Sequence, residues 1–172
     1  MLVVKTGFTR GVNEESRTVE AVISTSDPDR DGDIVEVSGW ELENFLRNPV
    51  VLWMHRYEAP IGRCLDIKRV GDALVARTKF ARTPLAEEIW QLYREGVLNA
   101  WSVSFIALRW EPLASGGRKY IRQELLEYSA VSVPANPEAL NTLYRDGMLR
   151  VEKELERINP LLGEETIRIK EE

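Results

Sequence analysis

Along this chain, segments with strand periodicity follow one another through tight turns, and helical segments are inserted among them instead of alternating with them. That order predicts an α+β fold: a mainly antiparallel sheet or barrel, with helices at its periphery. Strand signals fall on residues 2–8, 18–24, 50–55, 65–70, 73–80, 99–110 and 125–133, rich in β-branched and aromatic residues. Gly71-Asp72 and Gly116-Gly117 supply hairpin turns, and Pro134 closes the last strand. The clearest helix lies between Thr83, a good N-cap followed by Pro84, and Gly96, a good stop. Leu85, Ile89 and Leu92 form its stripe, with Trp90 and Tyr93 beside it. A short amphipathic helix is expected over 40–46, ended by Asn48-Pro49, and another from Asn136-Pro137-Glu138 to Gly147.

From Leu149 onward Glu, Lys and Arg dominate, which predicts an exposed helix with a frayed or partner-docking end. The expected organisation is therefore a folded domain over 1–148 and a charged helical tail over 149–172. At 172 residues the chain can bury a proper core. No apolar run approaches the ~20 residues that span a bilayer, and the N-terminus lacks signal-peptide character, so a cytoplasmic protein without membrane contact is expected. A net charge of −5 gives no basic footprint for nucleic acid.

One cysteine and one histidine leave little room for redox or metal chemistry, and no cofactor or metal is expected. Cys64 reads as a buried structural thiol. The acidic loop Asp29-Arg-Asp-Gly-Asp33 fails the calcium-loop pattern, because Ile34 stands where glycine is required and Trp40 where the bidentate Glu belongs. A turn held by its own side chains is expected instead.

His55 is the sole imidazole and so the sole histidine general base; it follows an apolar run and precedes a polar one. Its alternative is a partly buried histidine bonded to backbone. In strand alternation Ser102 and Ser104 share a face, where a hydroxyl opposite a histidine is suited to attack. Farther on, Glu127 and Ser129 share a face with Val131 and Val133. A carboxylate directed inward needs a cationic or histidine partner, either His55 or an arginine such as Arg109 or Arg122.

Taken in order, Asp29-Arg-Asp-Gly-Asp-Ile-Val35, Ser38-Gly-Trp40, Val51-Leu-Trp-Met-His55, Pro60-Ile-Gly62, Gly96-Val-Leu-Asn-Ala-Trp-Ser-Val-Ser-Phe105 and the stretch Leu126-Glu-Tyr-Ser-Ala-Val-Ser-Val-Pro-Ala-Asn-Pro-Glu-Ala139 resemble the prohead (procapsid maturation) serine proteases of tailed bacteriophages. The resemblance covers roughly residues 2–147. It implies a β-barrel similar to herpesvirus assembly proteases, a host-cytoplasmic site of action inside the assembling procapsid, and a homodimer or higher oligomer by the same likeness. It implies His55 as base and Ser102, the first serine of the Ser-Val-Ser-Phe motif, as nucleophile. Ser104 replaces the usual glycine and stands as the alternative nucleophile. The herpesvirus enzymes use a second histidine, which this chain lacks, so Glu127 is the candidate third member and Glu124 the alternate. The implied activity is endopeptidase cleavage of scaffold, capsid-protein extensions and the enzyme itself. The competing readings are a noncatalytic capsid-assembly or scaffolding module on the same fold, and a small-molecule esterase or amidase.

Overall fold

The computed structural model describes residues 11–140. The strand expected over 2–8, the stretch up to Gly147 and the tail over 149–172 lie outside the described residues. Nine strands belong to one sheet: β1 (Val12–Asn13), β2 (Thr18–Thr25), β3 (Ile34–Val35), β4 (Trp40–Glu41), β5 (Val50–Trp53), β6 (Arg56–Val70), β7 (Ala73–Phe80), β8 (Ala100–Pro112) and β9 (Arg118–Val131). Two α-helices, α1 (Glu43–Arg47) and α2 (Pro84–Arg94), and a 3-10 turn at Val37–Gly39 complete the elements of the described residues. No helix among the described residues is long and apolar enough to cross a membrane.

The hydrogen-bonded order runs β1-β2-β7-β6-β5-β9-β3, with β4 and β8 also on β9. All the parallel pairings involve β9, which takes β3, β4 and β5 in parallel and β8 antiparallel. The strand ladder does not return on itself among the described residues, so the sheet is open where the resemblance implies a closed β-barrel. Its ends nevertheless approach each other. The Val22 N–H donates to Leu140 O at 3.0 Å and the Trp101 N–H to Ala139 O at 2.8 Å, placing this short segment between β2 and β8. Turn residues and periodicity report single strands and their neighbours; they carry no information on whether distant edges meet.

An aromatic cluster lies in the buried core. Phe80 packs on Trp90, Tyr93 and Trp101, while Trp101 also stacks on Tyr93 and meets Tyr128 edge-on. Each such buried ring contributes about 1.5–3 kcal/mol from removal of apolar area. The hydroxyls that come with the rings are satisfied: Tyr93 donates to Ala100 O at 2.7 Å, and Tyr128 bonds Thr78 Oγ1 at 2.7 Å. α2 begins as predicted, with Thr83 Oγ1 accepting from the Ala86 N–H, and buries Ala86, Ile89, Trp90 and Tyr93.

Three expectations are corrected. The helix over 40–46 is only α1, because Trp40 and Glu41 are drawn into parallel pairing with Gln123 and Glu124 of β9. Gly39 permits that approach: a Cβ there would lie 2.0 Å from Ile121 O. The last strand starts at Arg118 and ends at Val131, so it is longer at its front and shorter at its end than 125–133. No helix starts at Asn136. Asn136 Oδ1 accepts the Glu138 N–H at 2.9 Å, as a helix cap would, but Leu140 then makes a β-bridge to Ala100.

Candidate active site

β5 lies parallel on β9 with Val51 opposite Tyr128, Leu52 opposite Ser129 and Trp53 opposite Ala130. The strand ends there, before the histidine that the sequence places at its tip. Trp53 pairs with Arg56, and Met54 and His55 form the two-residue turn between β5 and β6. Both carry positive φ, 54° and 58°. This is the signature of a type I′ hairpin turn, a conformation that favours Asn and Gly and strains Met and His. β9 holds the turn in place: the Met54 N–H donates to Ala130 O and the His55 N–H to Ser129 Oγ, each at 3.0 Å.

The imidazole is thereby laid over the Glu127–Ser129 face of β9. His55 Nδ1 is 2.6 Å from Glu127 Oε1. A separation that short against a carboxylate requires a proton on Nδ1, which leaves Nε2 of the neutral ring as the acceptor. Ser129 Oγ donates to the other carboxylate oxygen, Oε2, at 2.8 Å. Burial pushes the Glu127 carboxyl up, but hydrogen bonds from His55, Ser104 and Ser129, aided by the imidazole's charge, outweigh it and hold the group below its ordinary range. Glu127 is the inward carboxylate that needs a partner, and histidine provides it. Of the arginines considered for that role, Arg122 pairs with Glu41, and Arg109 stands opposite Arg122.

β8 brings the hydroxyls. Its antiparallel register on β9 sets Ser102 opposite Ser129 and Ser104 opposite Glu127. The Trp101 N–H is turned outward to Ala139, so Ser102 and Ser104 have their backbone groups directed at β9 and their side chains on the face of Glu127 and Ser129. Ser104 Oγ lies 3.0 Å from His55 Nδ1, on the same edge of the ring as the carboxylate. No hydrogen bond joins Ser102 to His55 among the described residues. Ser102 is 8% exposed and lines a small cavity with Ser24, Thr25, Asp33, Ala135 and Asn136.

Glu124, the alternate carboxylate, accepts from Asn44 Nδ2 at 2.9 Å, in α1 and away from the imidazole. Cys64 is buried and donates to Asp66 O; burial pushes its thiol up and makes it a poor nucleophile. The acidic loop is a turn tied by its own side chains: Asp29 Oδ1 accepts the N–H groups of Asp31 and Asp33, and Asp33 accepts from Arg118 N–H and Tyr120 O–H. Two features escaped the sequence. The sequence shows that Ser129 shares a face with Glu127, but gives no sign that it bonds the His55 backbone. Nothing in Trp53-Met-His-Arg56 signals a turn, since neither Gly nor Asn is there.

Comparison with known proteins bears on this constellation. Residues 37–154, which contain every member of the cluster, match the family described as caudovirus prohead serine protease. The chain is 29% identical over 143 residues to the prohead protease of Escherichia phage T5, covering 77% of this chain and 67% of that protein. It is also 29% identical over 141 residues to the capsid polyprotein of Pseudomonas phage PAJU2, covering 77% of this chain. It spans only 21% of that much longer relative. In three dimensions it is similar to the bacteriophage T4 capsid assembly protease gp21, with a TM-score of 0.57 at 9% identity over 68% of this chain and 82% of that one. At that identity the likeness is one of fold.

Proposed function

The chain belongs to the caudovirus prohead serine protease family, and we propose that it is an endopeptidase in which His55, Ser102 and Glu127 act as base, nucleophile and orienting carboxylate. The observation that carries this reading is the 2.6 Å contact between His55 Nδ1 and Glu127. With Nδ1 committed to the carboxylate, the basic lone pair is on Nε2, and the attacking hydroxyl must meet that nitrogen. Ser104 lies on the Nδ1 edge, beside the carboxylate, which is the wrong side for a nucleophile. Ser102 shares the face and borders a cavity in which a peptide carbonyl could sit.

In this mechanism Nε2 takes the Ser102 proton as Oγ attacks the peptide carbonyl, and returns it to the leaving amine as the acyl-enzyme forms. Water, deprotonated by the same Nε2, then releases the acyl group. Glu127 holds the ring tautomer and stabilises the imidazolium. Ala135 and Asn136 line the cavity beside Ser102, and their backbone N–H groups are the candidate donors to the oxyanion, each worth about 2.7–4 kcal/mol if aligned.

The substrates are scaffold and capsid-protein extensions, and the enzyme itself, inside the procapsid assembling in the host cytoplasm. The capsid polyprotein relative supports a link to capsid proteins. The domain spans 1–148, with the tail over 149–172 docking on scaffold or trimmed on activation. The curl that brings β2 and β8 onto Ala139 and Leu140 bends the open sheet toward the herpesvirus protease shape, and a homodimer or higher oligomer is proposed on the family likeness alone.

The test is coexpression with the cognate scaffold and capsid protein, read by gel and mass spectrometry. Wild type is expected to trim them, Ser102→Ala and His55→Ala to leave them intact, and Ser104→Ala to retain cleavage. Processing at the normal rate by Ser102→Ala would overturn the assignment. A wild-type chain that supports particles yet cleaves nothing would leave the noncatalytic assembly role standing.

A further inference from the structure

Ser129 is fully buried in β9 and its single hydroxyl is used twice. Oγ accepts the backbone N–H of His55 at 3.0 Å and donates its proton to Glu127 Oε2 at 2.8 Å. Neither role can be exchanged, because an ionised carboxylate cannot donate and an amide N–H cannot accept. The result is a closed circuit. The backbone of His55 is tied through Ser129 to one carboxylate oxygen, and the ring of the same residue is tied through Nδ1 to the other. A buried serine in a strand interior could satisfy itself with one backbone carbonyl. Here both partners belong to the site.

We infer that Ser129 is a positioning residue for the reaction: it locks the Met54–His55 turn and the Glu127 carboxylate into one frame, so that the imidazole presents Nε2 toward Ser102. This rests on the reading under Proposed function and deepens it. The turn is strained at both residues, with φ of 54° and 58°, and its attachments to β9 are what oppose relaxation. The Met54 N–H bond to Ala130 O fixes the start of the turn. Ser104 also touches the ring and the carboxylate, but it is the Ser129 hydroxyl that ties the His55 backbone to Glu127. Without the hydroxyl, the His55 N–H and Glu127 Oε2 each lose a partner, and the ring and carboxylate can shift independently.

The test uses the full chain with Ser129→Ala, Ser129→Thr and Ser129→Cys. Ser129→Ala is expected to lower kcat roughly tenfold to a hundredfold with KM unchanged within about twofold, the size of losing a hydrogen bond to a charged group. Ser129→Thr, which keeps the hydroxyl on the same Cβ, is expected to recover most of that loss. The second readout is the far-downfield proton NMR signal of the Nδ1–H held against Glu127, recorded also in a Ser102→Ala background so that it needs no turnover. It is expected to move upfield or broaden in Ser129→Ala and return in Ser129→Thr. A folded Ser129→Ala with parental kcat and an unmoved resonance would overturn the inference. Should Ser129→Ala not fold, Ser129→Cys, a weaker and longer donor, is expected to be intermediate in both readouts, and parental behaviour there would overturn it equally. If wild type cleaves no assembly protein, the proposed function fails while the resonance still decides the role of Ser129.

Discussion

Two hairpins in one sheet turn through two residues each and enter the left-handed region, at Gly71 in one and at both Met54 and His55 in the other, and they do so for opposite reasons. Between β6 and β7, Val70 pairs with Ala73 and the turn is Gly71-Asp72, with Gly71 at φ 59° and no heavy atom within 4 Å of where a Cβ would be. Gly71 adopts that φ without strain, and the bond the turn makes elsewhere, from the Ser26 N–H to Asp72 O at 3.1 Å, has no strain to oppose. Between β5 and β6, Met54 and His55 adopt nearly the same φ against their own preference. There β9 supplies the support through Ala130 O and Ser129 Oγ. The first turn connects strands. The second aims an imidazole, and strain is tolerated where it serves that purpose.

The contrast can be broken or sharpened by substitution, beginning with the largest effect. Glu127→Gln removes the charge that holds the imidazole, and kcat is expected to drop by about 10³–10⁴ in a peptide-cleavage assay. The same variant has a pH signature in stability. The Glu127 carboxyl is held below its ordinary value of 4.5 in the fold, so its contribution is complete above that value and is lost as pH falls through the lowered one. The gap in urea midpoint between parent and Glu127→Gln should thus shrink as pH falls below the ordinary carboxylate value and through the lowered one. A gap that widens in acid would contradict the direction of the shift.

Ser104→Gly, which removes the second hydroxyl, is expected to change kcat by only a few-fold, since Ser104 is beside Nδ1 and Glu127 has other donors. Loss comparable to Ser102→Ala would make Ser104 the nucleophile. Gly71→Ala places a Cβ at φ 59° and should cost about 1–2 kcal/mol in chemical denaturation with no change in kcat. Smallest is Met54→Gly, which relieves strain in the turn while adding unfolded-state freedom. Its stability is expected to stay within about 1 kcal/mol of parent, whereas the β-branched Met54→Val should lose about 1–2 kcal/mol.

The two turns also mark what was legible in the sequence. Residues 73–80 and the cap-to-stop helix 84–94 were readable because their signals are local: Gly71-Asp72, Thr83-Pro84, and stripes of fixed period. The members of the site were readable as residue types, since a chain with one histidine has only one imidazole to offer, and period two already put Ser102 with Ser104 and Glu127 with Ser129. Their mutual placement was not. It depends on the parallel register of β5 on β9 and on the outward turn of the Trp101 N–H, which are set by packing between segments far apart in the chain. Trp40, expected in a helix, was taken by β9 for the same reason.

The pairing of β5 with β9 also has a kinetic meaning. His55 and Glu127 are 72 residues apart, and a parallel pair cannot be closed by a tight turn. Hairpins such as β6–β7 and β8–β9 enclose short loops and can zip locally, whereas β5 must wait until β9 exists to receive it. His55 meets Glu127 only at that late, high-contact-order step. A nascent chain therefore carries its serines and its histidine for most of synthesis as unconnected parts, and under the proposed mechanism competence to cleave waits for β5 to dock on β9.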